Sequence, residues 1–520
     1  MKDTYTFATL FLAAVAWLTF KIARIGRRDG RLPPGPPTVP VLGNIHELPR
    51  KFAFLRFSEW GRKYGGIISI KLANATAIVV SDLKVVKELL DDRSSETSSR
   101  PYSYALEALS KGNFFVLASS ESLVWRASRK SIQPFLAVQA SDLHVPIVER
   151  ESSALLHGIL HNPGAISSHI LRYTFSSIAY FAFGKRVLRH DSPELQSYQT
   201  YIRNFCKAVS PEAAPVDLIP ILRYVPDFLA PWMKLWRETR SQQLSLYNSF
   251  LEHAERVKEG EGRNRSIIQA TLEQRHELGL SRETVAYTGG VLLDAGTETL
   301  ATTMLSLILC LMKSPAVLKK AQNEIDELIG SKRLPVANDI EELPYIQAII
   351  KEVLRFRPSI PTGIPHAPLN DCHYGGYTIP KGSAIFINTW AIFHDPDLFE
   401  RPDDFWPERY LLTPDGTKPG LNKDYNIRSS LSFGSGKRLC PGMNFARTSL
   451  NVAVMRLIWA FDFEPGDNSS RMDQSWSLEE HYFEGITLTP KEFSCRMTLR
   501  SADRAKAIED SYILYENSNA

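Results

Sequence analysis

The loop at residues 432–446 reads SFGSGKRLCPGMNFA and holds one cysteine, Cys440, among glycines and cations. A free thiol has a pKa of about 8.5, so a thiolate near neutral pH needs compensating positive charge. Lys437 and Arg438 precede the cysteine, and Pro441 is typical of a first helical turn, where the helix dipole adds positive charge. The pattern favours a thiolate that binds a metal, although an ordinary turn with a structural cysteine uses the same residue types.

The cysteines of this chain are few, odd in number and far apart: Cys206, Cys310, Cys372, Cys440 and Cys495. Such spacing argues against a disulfide framework and for a reducing compartment. No C-x-x-C or H-E-x-x-H motif occurs, so the sequence gives no indication of a zinc site.

The composition is that of a large globular protein. The 520 residues are 44% hydrophobic and 23% charged, with a net charge of +4, which is too mild to indicate a nucleic-acid partner. From about residue 83 to residue 354 the apolar pattern is mainly helical. Short strand-like stretches lie at 66–80 and 383–388, and residues 481–501 resemble a closing hairpin. The sequence therefore predicts a mainly α fold with a minor β component.

The N-terminus has the pattern of a membrane anchor. Residues 5–20 are apolar and uncharged, and Lys21, Arg24, Arg27, Arg28 and Arg31 follow them. About 20 apolar residues span a bilayer, and cations after the span keep the following chain in the cytosol. The alternative is a buried helix of a soluble domain. We expect a single-pass anchor at 1–25 in the endoplasmic reticulum membrane, a basic, Pro/Gly-rich hinge at 26–50 and one catalytic domain at 51–520 facing the cytosol.

Four further motifs lie upstream of the cysteine loop. The first is LLDAGTETLATT at 292–303, in an apolar helical stretch, and the second is KEVLRFRP at 351–358. The third is FWPERY at 405–410, which supplies Arg409, and the fourth is WRASRK at 125–130. Each motif alone has an ordinary structural reading, such as a threonine that bonds back to its own helix or a solvated ion pair.

Together these motifs resemble the cytochrome P450 superfamily, and they occur in its order along the chain. The cysteine loop matches the heme-thiolate signature F-x-x-G-x-R-x-C-x-G without a mismatch: Phe433, Gly436, Arg438, Cys440 and Gly442. The stretch at 292–303 matches A-G-x-E-T: Ala295, Gly296, Glu298 and Thr299. The others match E-x-x-R, the aromatic arginine segment and W-x-x-x-R: Glu352, Arg355, Arg409, Trp125 and Arg129.

The resemblance implies the P450 fold, heme b as cofactor and Cys440 as the axial iron ligand. It implies that Thr299 and Glu298 act in oxygen activation and proton delivery, with a distortion of the helix at Gly296. The heme propionates are expected to contact Trp125, Arg129, Arg438 and, as one of two readings, His366, which is otherwise a solvated loop histidine. Glu352, Arg355 and Arg409 are expected to form a buried structural network behind the heme.

The resemblance also implies a monooxygenase that takes O2 as co-substrate and receives electrons from NADPH through a separate reductase, with cytochrome b5 as a possible second donor. Lys423, Arg428, Lys437 and Arg447 are candidates for a basic docking face, or for an ordinary solvated patch. A heme-thiolate isomerase and a sensor remain alternatives.

The substrate pocket is expected at 102–116, 291–299, 360–364 and 483–486, and its apolar character indicates a lipophilic substrate. The sequence as a whole resembles fungal enzymes of secondary metabolism, and oxidation of xenobiotics or fatty acids remains an alternative function.

Overall fold

The computed structural model describes residues 2–210, 215–256, 265–421, 430–466 and 476–517. The helices up to the long central one are α1 (Lys2–Arg24), α2 (Ala53–Tyr64), α3 (Leu83–Val86), α4 (Ser94–Thr97), α5 (Tyr104–Ser110), α6 (Leu123–Leu136), α7 (Ser141–His161), α8 (Ile166–Phe183), α9 (Pro193–Ala208), α10 (Pro231–Arg256), α11 (Ile267–Gln274) and α12 (Arg282–Lys313). Those that follow are α13 (Pro315–Ile329), α14 (Pro344–Phe356), α15 (Thr389–Phe393), α16 (Arg409–Leu412), α17 (Met443–Ala460), α18 (Leu478–His481) and α19 (Ala502–Asn517).

Four small sheets accompany the helices. Strands β1 (Ile67–Leu72) and β2 (Ala75–Val80) form an antiparallel hairpin, and β5 (Ala384–Ile387) adds to β2 in parallel. The other pairs are antiparallel: β3 (Cys372–Tyr374) with β4 (Tyr377–Ile379), β6 (Phe461–Pro465) with β9 (Cys495–Leu499), and β7 (Tyr482–Glu484) with β8 (Leu488–Pro490). The prediction of a mainly α fold with minor β is confirmed. The expected closing hairpin is correct only for β7 and β8, because β9 pairs with β6 instead.

The long helix α12 lies at the centre of the fold. Its N-terminus is capped by Ser281, whose side chain accepts a hydrogen bond from the backbone N–H of Thr284. By length and composition, α12 is apolar enough to cross a membrane, since one 18-residue window has a mean hydropathy of 1.4. However, 72% of that window is buried inside the protein. Apolar side chains of α7, α8, α12 and α17 form one core cluster. The helix is therefore apolar because it is enclosed by other helices.

Gly296 allows α12 to approach α8 closely. A Cβ at this position would lie 2.7 Å from Cδ1 of Ile178, which is shorter than any normal contact. The helix is α-helical from Arg282 to Lys313 without interruption, so the expected distortion at Gly296 is absent. The glycine is explained by close packing rather than by a break in the helix.

The proline-rich hinge lies against the body of the protein. The carbonyls of Pro33 and Pro34 accept hydrogen bonds from the Ser69 hydroxyl and the Ser69 backbone N–H, at 2.6 and 2.8 Å. Arg28 donates to the carbonyls of Gly35 and Ser69, at 2.8 and 3.1 Å. These contacts fix the exit of the chain from α1 relative to β1.

Candidate active site

The cysteine loop is positioned by a close contact with the segment before α4. The backbone N–H of Gly436 donates to the Asp91 carboxylate at 2.7 Å, and a Cβ on this glycine would lie 2.2 Å from the carbonyl oxygen of Leu90. Gly436 has φ +58°, a conformation that glycine adopts without strain. The backbone N–H of Cys440 donates to the Phe433 carbonyl at 2.9 Å. The loop is thus held at both ends in one conformation.

The electrostatic environment of the Cys440 sulfur differs from the prediction. Burial raises the pKa of this thiol, and the backbone N–H of Gly442 and the Arg129 guanidinium act in the opposite direction. Lys437 is exposed, and α17 begins at Met443 rather than at Pro441. Because burial dominates, the protein alone leaves the thiol protonated. A bound cation at the sulfur is what would make it a thiolate.

The Arg438 side chain is directed away from the sulfur, and it belongs to a cluster of cationic side chains. Its guanidinium donates to the carbonyls of Ser98 and Ala118, both at 2.7 Å, and lies 4.4 Å from the ring centroid of Trp125. Arg129 donates to the carbonyl of Leu439 at 3.1 Å. The structure therefore brings Trp125, Arg129 and Arg438 together beside the cysteine loop.

Arg100 is a third guanidinium in this cluster, and sequence reasoning missed it. It donates to the carbonyls of Ile364 and Pro365, at 2.8 and 2.7 Å. Burial and the charge of Arg438 lower the pKa of Arg100 to about 9, while burial and Arg129 lower that of Arg438 to about 10. Arg100 and the proline that follows it do not form a recognisable motif. The place of Arg100 in the cation cluster is therefore visible only from its contacts with the distant residues 364–365.

The three guanidiniums have no anionic partner in the part of the chain that the structure describes. None forms an ion pair with a described carboxylate, although burial disfavours each of their charges. His366 lies close to them, with its Nδ1 3.3 Å from the Thr97 carbonyl oxygen. Burial lowers the pKa of His366 to about 3, so this histidine is buried and neutral rather than solvated. Buried cations without counter-charges fit a ligand that carries carboxylates.

The A-G-x-E-T motif occupies one turn of α12, and one face of this turn, at Ala295 and Thr299, is only partly covered by other side chains. Ala295 is exposed and Thr299 is half-buried, although Asp294, Thr297 and Leu300 beside them are buried. The Thr299 hydroxyl donates to the Ala295 carbonyl at 2.7 Å, which is the ordinary back-bond of a helical threonine. An uncovered turn inside an otherwise buried helix leaves space for a ligand.

Two carboxylic acids of α12 lie in low-dielectric surroundings next to this turn. Glu298 is half-buried beside Tyr198, and burial raises the pKa of its carboxyl. Asp294 accepts hydrogen bonds on Oδ2 from the hydroxyls of Tyr201, at 2.7 Å, and Tyr247. Burial raises the pKa of Asp294 to about 7 despite these donors. Burial therefore favours the protonated form of both carboxyls.

Glu352, Arg355 and Arg409 form one buried network. Arg355 binds both oxygens of the Glu352 carboxylate, at 2.8 and 2.9 Å, and Arg409 donates to the same carboxylate at 3.0 Å. The remaining guanidinium N–H groups donate to carbonyls of the irregular segment before α16: Phe393, Glu400, Arg401, Pro402 and Asp404. Each of the three side chains is at most 2% exposed. The network fixes residues 393–409 against α14.

The other predicted site residues are dispersed. Phe114 and Phe115 are buried, and Phe114 stacks on Phe205 with ring centroids 5.6 Å apart. Phe483 and Ile486, on the β7–β8 hairpin, are exposed. The hairpin contacts α12 through the Thr489 and Thr302 hydroxyls, 3.1 Å apart. Of the docking candidates, Lys423 and Arg428 lie outside the described residues.

The residues present fit iron protoporphyrin IX. Cys440 would supply a soft iron ligand, and Arg100, Arg129 and Arg438 would supply positive charge for the two propionates. The exposed face of α12 at Ala295 and Thr299 would be available for the chemistry of O2. The mainly helical fold and this set of residues define a heme-thiolate enzyme.

The comparison with known proteins gives the family. The family model for cytochrome P450 matches residues 33–496, and the chain belongs to this family. Cytochrome P450 monooxygenase ple5B of Rhodocybe pseudopiperita is 34% identical over 96% of both chains. Cytochrome P450 monooxygenase virE of Hypocrea virens is 35% identical over 96% of this chain and 91% of its own. The protein is thus a cytochrome P450 monooxygenase that uses heme and O2.

The fold agrees with a solved relative. A zebrafish cytochrome P450 whose structure was determined with progesterone aligns with a TM-score of 0.70 and 26% identity, over 86% of this chain and 99% of that one.

Proposed function

We propose that this monooxygenase receives electrons from a separate NADPH-dependent reductase and oxidises a lipophilic small molecule of fungal secondary metabolism. The exposed face of α12 at Ala295 and Thr299, with two carboxyls of raised pKa beside it, carries the proposal. When bound, heme supplies the activation of O2 and the oxidising power. The residues of this chain hold the cofactor, exclude water and deliver protons.

Thr299 and Glu298 are proposed to act on protons at this turn. The Thr299 hydroxyl now donates to its own helix, and rotation about χ1 directs the same O–H toward the uncovered side. Burial raises the pKa of the Glu298 carboxyl and so favours its protonated form. A carboxylic acid with a raised pKa serves as a proton donor near neutral pH.

The substrate class is proposed from the apolar surface near the β7–β8 hairpin. Phe483 and Ile486 are 58% and 43% exposed on this hairpin, which contacts α12. Exposed apolar groups beside a site favour a ligand with low polarity. The curated relatives come from fungi and are named as monooxygenases, which supports a role in fungal secondary metabolism. Metabolite profiling after deletion or heterologous expression tests this proposal, and an unchanged profile would contradict it.

The electron donor is proposed to dock on the basic side of the cysteine loop. Lys437 is exposed next to Cys440, and Arg447 lies over the Phe433 ring at 5.6 Å. Lys351 lies close enough to Arg447 for its pKa to be lowered by that charge, after the larger effect of burial. Together they form a positive surface that attracts an acidic partner such as the reductase or cytochrome b5.

Reconstitution with a reductase in lipid vesicles tests this docking. NADPH oxidation coupled to product formation is expected. Lys437→Glu is expected to slow reduction of the heme severalfold and to weaken its salt dependence, since it removes an attractive charge. Lys506→Glu makes the same charge change on exposed α19 and serves as the control. Equal effects of the two variants would contradict the docking proposal.

We further propose that α1 anchors the protein in the endoplasmic reticulum membrane with the body in the cytosol. The described apolar side chains of α1 are exposed: Phe7, Leu10, Phe11, Leu12, Val15, Trp17, Phe20 and Ile22. A second exposed apolar group lies between α9 and α10: Ile219, Ile221, Tyr224, Phe228 and Leu229. A helix with this surface is stabilised by transfer into lipid.

Glycosylation provides a test of the orientation. Asn74 belongs to an N-A-T sequon and lies exposed in the β1–β2 turn, so it is accessible to the lumenal enzyme if the body is translocated. We expect no glycan at Asn74, and a glycan on a sequon added before Met1. Glycosylation of Asn74 that Asn74→Gln abolishes would reverse the proposed orientation.

A further inference from the structure

Two histidines and one glutamate meet at the surface where α7 and α19 pack together. Glu509 Oε2 lies 3.3 Å from His157 Nε2, and Glu509 Oε1 lies 2.8 Å from His161 Nε2. The two imidazole rings have centroids 4.5 Å apart. All three ligand-type atoms lie within 4.8 Å of one another. Nothing in the monooxygenase reaction uses this cluster.

The geometry follows from helix spacing and from contacts that fix α19. His157 and His161 are four residues apart, so their side chains project from the same face of α7. The His157 ring stacks on Tyr512, with centroids 3.9 Å apart and planes 11° apart. Contacts on both sides hold α19 in register: Ser153 with Ser511, Arg186 with Glu516, and Tyr515 with Glu149. The cluster is therefore preorganised by packing that does not depend on its own hydrogen bonds.

The ligand set matches zinc chemistry. Zn²⁺ binds imidazole nitrogen and carboxylate oxygen at about 2.0–2.2 Å, which places tetrahedral ligand atoms roughly 3.3–3.6 Å apart. Two histidines at i and i+4 on one helix face are an established zinc-binding arrangement. The observed separations need only small side-chain rotations to reach that geometry. His161 is 59% exposed, so a fourth position is open to water.

Two simple ion pairs would also bring these side chains together. With both rings protonated, two positive charges would lie side by side at one carboxylate and repel each other, whereas a neutral ring can still donate its Nε2–H to Glu509. Neutral rings remove the repulsion and are the form that binds metals. In the part of the chain that the structure describes, no lysine or arginine forms an ion pair with Glu509.

We propose that His157, His161 and Glu509 form a binding site for a divalent cation of the zinc type, which joins the C-terminal helix α19 to α7. The absence of a zinc motif from the sequence is explained by the distance along the chain, since Glu509 follows His161 by 348 residues. The bound ion stabilises the docked position of α19 because the ligands come from both helices.

Zinc binding by the tag-free holoprotein tests the proposal. Titration with Zn²⁺ against a chromophoric chelator is expected to show one saturable equivalent. His157→Gln and His161→Gln are each expected to weaken it at least tenfold, and Glu509→Gln severalfold. His46→Gln is the matched control, because His46 also lies beside a glutamate, at 3.6 Å, but has no second histidine. Unsaturable binding, or binding that the two histidine variants leave unchanged, would overturn the site.

Hydrogen exchange distinguishes a specific zinc link between α7 and α19 from adventitious binding of zinc at the surface. Zn²⁺ is expected to slow amide exchange in α19 and to raise the melting temperature of the wild type, while His161→Gln shows neither effect. The carbon monoxide spectrum of the reduced heme is expected to be the same in all variants, which shows that they are folded. Zinc uptake without a change in α19 exchange would contradict the proposed link between the helices.

Discussion

Substitution of Asp294 by asparagine is expected to stabilise the protein, and more so at high pH. The carboxyl is buried, and burial raises its pKa to about 7 although Tyr247 and Tyr201 donate hydrogen bonds to it. An unfolded aspartate has a pKa of about 3.9. Between these two values the folded state binds more protons than the unfolded state, so the wild-type stability falls as pH rises through about 4 to 7.

The magnitude follows from the two pKa values. The penalty for the ionisable group is about 1.5 kcal/mol at about pH 5 and about 4 kcal/mol at about pH 8. Asparagine cannot ionise, and its Oδ1 still accepts from the two tyrosines. The advantage of Asp294→Asn is therefore expected to grow by about 2.5 kcal/mol across this range. The unfolding entropy of a chain of this length is about 1 kcal/mol/K. The difference in melting temperature between Asp294→Asn and wild type is therefore expected to grow by about 2–3 °C over this pH range.

The assay compares melting temperatures of wild type and variant at the two pH values. Tyr201→Phe serves as the matched control, and its stability relative to wild type is expected to fall as pH rises. It removes a donor to the Asp294 carboxylate and so disfavours the charged form at high pH. A constant difference between Asp294→Asn and wild type, or one that shrinks as pH rises, would refute the assignment of a raised pKa to Asp294.

Four further outcomes concern the heme side of the molecule. Glu352→Gln leaves two buried arginines without a compensating charge and is expected to cost about 3–5 kcal/mol, seen as loss of soluble, heme-loaded protein. Gly296→Ala is expected to lower stability by about 1–3 kcal/mol, and Ile178→Val added to it should restore part of the melting temperature. Cys440→Ala should abolish the red-shifted carbon monoxide band of a heme thiolate; its persistence would exclude this ligand. Arg100→Met is expected to speed heme transfer to apomyoglobin by roughly tenfold or more, while an unchanged rate would remove it from the propionate cluster.

The sequence predicted the parts of the site that have local signatures. The cysteine loop, the E-x-x-R pair and the A-G-x-E-T turn have fixed spacings, because each must be presented by one short segment. The structure places Arg355 and Arg409 on one carboxylate, although 57 residues separate Glu352 from Arg409. Here the resemblance to a family, and not the spacing, gave the expectation.

Other features could not be read from local pattern. The role of Arg100 depends on carbonyls at 364–365, and the raised pKa of Asp294 depends on its burial against α9 and α10, which residue spacing does not show. The cations before Cys440 were expected to favour the thiolate, but Arg438 is drawn away by carbonyls at 98 and 118. The direction in which a long side chain points is decided by distant partners, which residue spacing does not encode.

The contact between Gly436 and Asp91 has a consequence for the order of events during synthesis. Its two halves are 345 residues apart, and Arg129 and Leu439 are 310 apart. At about 5–20 residues per second, the ribosome needs roughly 20–70 s to travel between the two halves. Arg100 and Arg129 are therefore synthesised long before Cys440, whereas Arg438 is synthesised together with it. Nascent chains released before about residue 440 are expected to retain no heme, so that cofactor insertion belongs to the last moments of translation or follows it.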